Sequence, residues 1–205
     1  MNTVLTKLYD ADLLPFDRPE ILRCLKVKEE NEETGALLSE CISEAQNCFS
    51  YKVAYTEYDI TVNEKEIDLG FTKTESEKLY KNLLGCKKII LFAATVGSSI
   101  DRLINRYSRL SPAKSLILQA IGSERVEALC DFFNSEIKQS VKEEGMNVRP
   151  RFSPGYGDLS LEIQKDIFRV LDCPRRIGLS LNQSLIMSPS KSVTAIIGCY
   201  EKNDG

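Results

Sequence analysis

The sequence predicts an α+β fold, a single domain in which a largely antiparallel sheet is flanked by helices. Three observations lead there. Some stretches repeat apolar residues every three or four positions, as one face of a helix does. Others alternate apolar and polar residues, or run apolar over the length of a strand. The two kinds are mixed without the strict strand–helix–strand order of a parallel sheet. A length of 205 residues suits one sizeable core, and no repeat, low-complexity tract or long linker divides it.

Pro19 and Glu20 open a short helix through Ile21, Leu22 and Leu25, with proline at a tolerated first-turn position. A second helix is expected over 34–49, where Leu37, Leu38, Cys41, Ile42, Ala45 and Phe49 share a face. Residues 51–60 then alternate, with Val53, Tyr55, Tyr58 and Ile60 among polar neighbours, as a half-buried strand does. Ile67 to Leu69 reads as another short strand. Thr74 and Glu77 make a capping box for a helix that stops at Gly85. Residues 88–96 are continuously apolar after Lys88, as expected of a central strand covered on both faces. Gly97, Ser98 and Ser99 end it, and Ser98 or Ser99 can cap the helix of Ile100, Leu103 and Ile104. This junction is either a plain turn or an anion site on free amides.

Pro112 starts the longest helix, reaching about Glu144. Glu124 falls near the middle of its apolar face, between Ile117, Ile121 and Ala128, with Glu127 and Asp131 to one side. Either the helix bends at Gly122 and Ser123, or these acids line its solvent edge, or they face a cleft that needs negative charge or hydroxyl acceptors. A rigid loop comes next over 149–157, fixed by Pro150 and Pro154 and opened by Gly155 and Gly157. A helix with Leu161, Ile163, Ile167, Phe168 and Leu171 succeeds it. Strands at 177–181 and 192–200, joined through 187–191, close the chain. The expected organisation is one domain over 1–205, with a helical N-terminal region (1–50) and a core (51–205) that carries the loop 149–157.

Composition narrows the chemistry. The chain has no His, so no Ser–His–Asp or Cys–His pair and no HExxH site can form, and no imidazole can relay a proton near neutral pH. Acid–base work would fall to carboxylates, Lys, Tyr or Cys, or the hard chemistry would belong to a bound cofactor. Its 7 Cys are scattered, with no CxxC pair, so they read as reduced, packed thiols and no metal site is expected. Lys+Arg 27 against Asp+Glu 30 leaves a net charge of −3, which argues against nucleic acid or anionic lipid as partners. An acidic start and the lack of a long apolar run argue against a signal peptide or a membrane span. A cytoplasmic location is expected.

In the loop, Arg151 is placed to grip an anion, since a guanidinium can clasp a carboxylate with two parallel bonds. Tyr156, flanked by glycines, could wall a pocket. The alternative is a turn in which Arg151 packs on Tyr156 or pairs with a surface acid.

The segment Arg151-Phe152-Ser153-Pro154-Gly155-Tyr156 resembles the RxxxGY signature of the S-adenosylmethionine-binding activation domain of cobalamin-dependent methionine synthase. Residues 181–193, LNQSLIMSPSKSV, resemble that domain's L-T-E-S-x-x-M-x-P-x-x-S-V segment, in the same order. The helix over 120–128 is similar to the one that precedes the signature. The resemblance spans about residues 88–200 and implies an activation-domain-like α+β fold with S-adenosylmethionine as ligand. It implies a stand-alone reactivation subunit supporting reductive methylation of cob(II)alamin. The partners would be the cobalamin-binding methionine synthase module, which supplies the cobalamin, and a flavodoxin-type or other reductase. Two alternatives stand beside it: reactivation of another corrinoid methyltransferase, or a non-catalytic interaction module that has lost the ligand.

By the same resemblance, Arg151 would bind the methionine carboxylate, or the backbone around it. Ser153, Pro154 and Gly155 would shape the loop. Tyr156, at the catalytic position, would wall the site on the cobalamin side. Glu127 would accept hydrogen bonds from the ligand or balance its charge. Ile197 and Gly198 fall where the final strand meets the adenosine, through backbone contacts. The chain departs from the pattern at Gly157, which replaces a proline, at Asn182-Gln183, which replace Thr-Glu, and at Ile197-Gly198, which replace an aromatic pair.

Overall fold

A five-stranded antiparallel sheet with a core on each face organises the chain; the computed structural model describes residues 2–64 and 66–201. In chain order the elements are β1 (Leu5–Tyr9), α1 (Arg18–Cys24), α2 (Glu32–Ala45), β2 (Tyr51–Asp59) and the small strands β3 (Thr61–Val62), β4 (Ile67–Asp68) and β5 (Lys73–Thr74). Then come α3 (Glu77–Leu83), β6 (Cys86–Thr95), α4 (Ser99–Leu110), α5 (Pro112–Glu143) and β7 (Met146–Val148). The chain ends with α6 (Ile163–Leu171), α7 (Cys173–Ile177), β8 (Ser180–Leu181), β9 (Met187–Ser188) and β10 (Ser192–Glu201). The main sheet has the order β1-β2-β6-β10-β7. The α+β class and the antiparallel sheet are as the sequence predicts.

β6 lies in the middle of this sheet because its run is apolar on both sides. Ile90, Phe92 and Ala94, with Val53 of β2 and Ala195 and Ile197 of β10, face a layer of α1, α2, α4 and α5. Ile89, Leu91 and Ala93, with Ala54 and Ile196, face α3, α6 and α7. A slip of one residue would exchange the two sets, so both cores fix the register. No helix among the described residues is long and apolar enough to cross a membrane.

Several local expectations are corrected. The region 1–50 is expected to be helical, but Leu5–Tyr9 pair with β2 as an edge strand. The capping residue of α3 is Ser76, whose hydroxyl accepts from the amide of Leu79 at 3.1 Å; Thr74 instead pairs with Ile67 in β5. Ile177 ends α7 rather than starting a strand, because Gly178 takes the left-handed conformation (φ 69°) that stops a helix. At the junction after β6, Ser98 makes no cap bond; it and Ser99 accept from Arg102 at 2.9 and 2.7 Å. α5 runs unbroken through Gly122. A Cβ there would lie 3.0 Å from Cγ and 3.1 Å from Cε of Lys191. The glycine thus lets the lysine stem cross the helix, so that Nζ reaches Ser123 Oγ at 3.0 Å.

Gly198 has a similar role in the sheet. A Cβ would meet Leu83 Cδ2 at 2.6 Å and Cys86 Sγ at 2.7 Å, so glycine is what allows α3 to close on β10. Gly198→Ala is expected to lower stability by about 1–3 kcal/mol through overpacking. The shift in the urea midpoint measures it, and a midpoint equal to wild type would mean that α3 moves aside freely.

Candidate functional site

α5 presents a stripe of side chains to a cleft of about 1060 Å³, with residues 13–20 as the facing wall and Arg151 at its end. Glu124, Glu127, Ala128, Asp131 and Phe132 succeed one another at helical spacing along this stripe. The Arg151 side chain is 23% exposed and donates from one terminal nitrogen to Glu127 Oε2 and from the other to Asp131 Oδ1, both at 2.5 Å. Burial alone would lower the guanidinium pKa, but the Asp131 and Glu127 carboxylates raise it above its ordinary value. Of the readings open for Arg151, the structure places it against two acids and not against Tyr156. A guanidinium and two exposed carboxylates together make a site suited to a zwitterion.

The wall is held by a pair inside the helix layer. Arg125 is fully buried and Glu124 nearly so. Arg125 Nε donates to Glu124 Oε2 at 2.5 Å, and a terminal nitrogen donates to Glu124 Oε1. The same guanidinium donates to the carbonyls of Leu14 and of Pro15, the latter at 2.7 Å, and lies 4.5 Å from the centre of the Phe16 ring. Glu124 Oε1 accepts from the Asp17 amide at 3.3 Å, and the Asp17 carboxylate in turn caps α1 through the Glu20 amide at 3.0 Å. Glu124 therefore lies at the floor of the cleft, compensated by its neighbour. Glu127 and Asp131 are exposed beside it.

The loop 149–157 is fastened to the far edge of β10. The Arg149 amide donates to Gly198 O at 2.8 Å, and Phe152 and Ile196 exchange backbone bonds of 2.8 and 2.9 Å. This turns the Arg151 side chain to α5 and the Phe152 side chain into the opposite core. Ser153 is half-buried and its carbonyl accepts from the Tyr156 amide at 3.1 Å; Pro154 is buried. Gly155 has φ 82°, and its amide donates to Leu159 O at 2.9 Å. Asp158 anchors the end of the loop, accepting from the Ser76 hydroxyl and, at 2.7 Å, from the Glu77 amide. These bonds hold its carboxyl below the ordinary range.

Tyr156 is 66% exposed, its ring nearly perpendicular to Phe152 at 5.3 Å, and it does not line the cleft. Gly157 has φ 65°, a value proline cannot adopt, so the turn here differs from one built on the signature's proline. Ile197 lines a smaller cavity of about 230 Å³ on the other side of Arg151, with Asn134, Arg149 and Pro150. Asn134 Oδ1 is buried without a hydrogen-bond partner among the described residues. Gly198 faces α3, and its carbonyl is taken by Arg149. The structure thus brings Arg151 and Glu127 together, sets Ile197 behind them and leaves Tyr156 outside the cleft.

Sequence reasoning misses Arg125, Asp131 as a partner of Arg151, and the wall 13–18. A signal exists for the first, since an arginine directly after an acid on an apolar face can compensate it. For the wall, Pro15 and Pro19 bracket a stiff segment, Phe16-Asp17-Arg18, with one aromatic ring between two charges and a proline. The buried thiols are inert by contrast: burial pushes Cys130, beside Arg151, up to about 12. Among the described residues no group of three or more Cys, Asp or Glu is arranged to hold a metal ion.

Residues 80–204 match the family described as vitamin B12 dependent methionine synthase, activation domain. No curated protein matches the chain. Among solved structures, the fold is similar to the crystal structure of the MetH reactivation domain bound to AdoHcy. The TM-score is 0.68 at 14% identity, over 99% of this chain and 79% of that one.

Proposed function

The chain belongs to the family of the vitamin B12 dependent methionine synthase activation domain, and from that premise we propose that it is a reactivation subunit which holds S-adenosylmethionine for a cobalamin-bearing partner. The whole chain acts as one unit in this reading, with a methionine synthase module as partner and a flavodoxin-type or other reductase as electron donor. S-adenosylmethionine supplies the methyl group, and cob(II)alamin takes it together with one electron, giving methylcobalamin and S-adenosylhomocysteine.

The observation that carries this reading is the Arg151–Glu127–Asp131 cluster at the end of the cleft. S-adenosylmethionine has one carboxylate, one ammonium and one sulfonium. Its carboxylate can take the two guanidinium bonds that Glu127 and Asp131 hold in the free protein. The released carboxylates then face the two cationic groups. Ser153, Pro154 and Gly155 keep Arg151 in place through the turn, and Ile197 bounds the adenosine side, while Gly198, turned to α3 with its carbonyl taken by Arg149, acts only through the packing of β10. Tyr156, exposed on the outer face of the loop, meets the partner rather than the ligand. The chain's own task is placement, in which proximity does the work of acid–base catalysis. A chain without His suits that task.

The test mixes the protein with the cobalamin module, S-adenosylmethionine and a reductant, and tracks methylcobalamin by its absorption. Methylcobalamin is expected only when all are present. Robust methyl transfer by the isolated protein, or none in the complete mixture, would overturn the proposal. The solved relative was crystallised with AdoHcy, so a second measurement is calorimetry with S-adenosylhomocysteine and S-adenosylmethionine. Heat from neither at millimolar ligand would exclude the site.

A further inference from the structure

We propose that Glu124 and Arg125 are positioning residues: the buried pair fastens residues 14–17 against α5 and thereby builds the wall on which ligand affinity depends. Residues 14–17 belong to no helix or strand. Their polar groups are nonetheless tied one after another to the same two side chains. The carbonyls of Leu14 and Pro15 accept from Arg125, the Phe16 ring lies under its guanidinium, and the Asp17 amide donates to Glu124.

Both charged groups are out of water, so each bond is made in a medium where it is strong and where its loss is costly. Arginine fits this position because its planar fork reaches a carboxylate and two carbonyls at once, which an ammonium cannot do. The wall also places the next helix, since Asp17 caps α1, whose Glu20 and Arg23 line the same cleft. Apart from a contact with the Tyr51 hydroxyl on β2, the outward bonds of this ion pair go to an irregular segment beside a cleft, which makes it a device for keeping that segment in place. Stability of the fold alone would be served as well by apolar residues of similar volume.

The experiment uses the full chain with Glu124→Leu and Arg125→Met together, which removes the grips while leaving no lone buried charge. Hydrogen exchange at the Leu14 and Asp17 amides, which donate to Ala11 O and to Glu124, is expected to speed up by about tenfold or more, while amides in β6 and β10 keep their protection. Affinity for S-adenosylhomocysteine is expected to fall by about tenfold, in line with a wall that must order on binding. Wild-type protection at Leu14 and Asp17 in the folded double variant would overturn the proposal. So would a loosened wall with unchanged affinity. If the double variant does not fold, Phe16→Ala, which removes only the ring under the guanidinium, is judged on the same two readings. The affinity arm rests on the reactivation reading, but the exchange arm does not. A wild-type protein that binds neither ligand would sink the function while the exchange data still decide what holds the wall.

Discussion

Arg125→Met as a single change is expected to lower folding stability by about 3–5 kcal/mol, because it strands the Glu124 carboxylate in an apolar layer. Glu124 is 2% exposed and its remaining partner would be the Asp17 amide at 3.3 Å, too little to replace a guanidinium. Burial of a carboxylate without a partner is resolved either by protonation or by local opening, and both cost free energy. The double change to Leu and Met should recover most of the loss, since an apolar pair of similar volume is often as stable as a buried ion pair. Urea unfolding of wild type, single and double variants measures the difference. A single variant within about 1 kcal/mol of wild type would show that water reaches Glu124 freely.

Arg151→Ala is expected to weaken S-adenosylmethionine binding by about 1.5–3 kcal/mol, the range for a charge-assisted hydrogen bond. That corresponds to roughly 10- to 150-fold in affinity. The fold should hardly notice, because Glu127 and Asp131 are 53% and 69% exposed and such pairs contribute about 0–1 kcal/mol. Binding and stability therefore separate at this position, unlike at Arg125. Arg151→Lys keeps the charge but not the fork, and should lie between the two. Calorimetry at fixed ionic strength reads the affinity, and equal values for the wild type and the Arg151→Ala variant would remove this side chain from the site.

The range of each interaction decides whether the sequence displays it. β6 is legible because its run is apolar on both faces, and such a strand needs no knowledge of its neighbours. β1 is not, since an edge strand with Leu5 and Leu8 largely exposed shows no clean alternation against a core. Helix ends at Ser76 and Gly178 depend on which of several capable residues wins, a matter of a single hydrogen bond. In the site, Arg151 stands out because proline and glycine mark its loop. The helical period puts Glu124 on the apolar face of α5, but period gives a face and not a partner. Its compensation by Arg125 escapes that reading, and so does the grip on Leu14, 111 positions away. No local pattern encodes a contact of that separation.

The loop at the edge of β10 behaves like a strand with two unlike sides. Arg151 leaves it toward the helix α5, whereas Phe152, with Tyr156 against it, leaves it toward the other core. Residues one step apart in the chain thus address different environments, separated by the thickness of a sheet. Evolution can change one without disturbing the other. If Arg151 holds the ligand and Tyr156 meets the partner, as proposed above, ligand choice and partner contact are separable traits on one short segment.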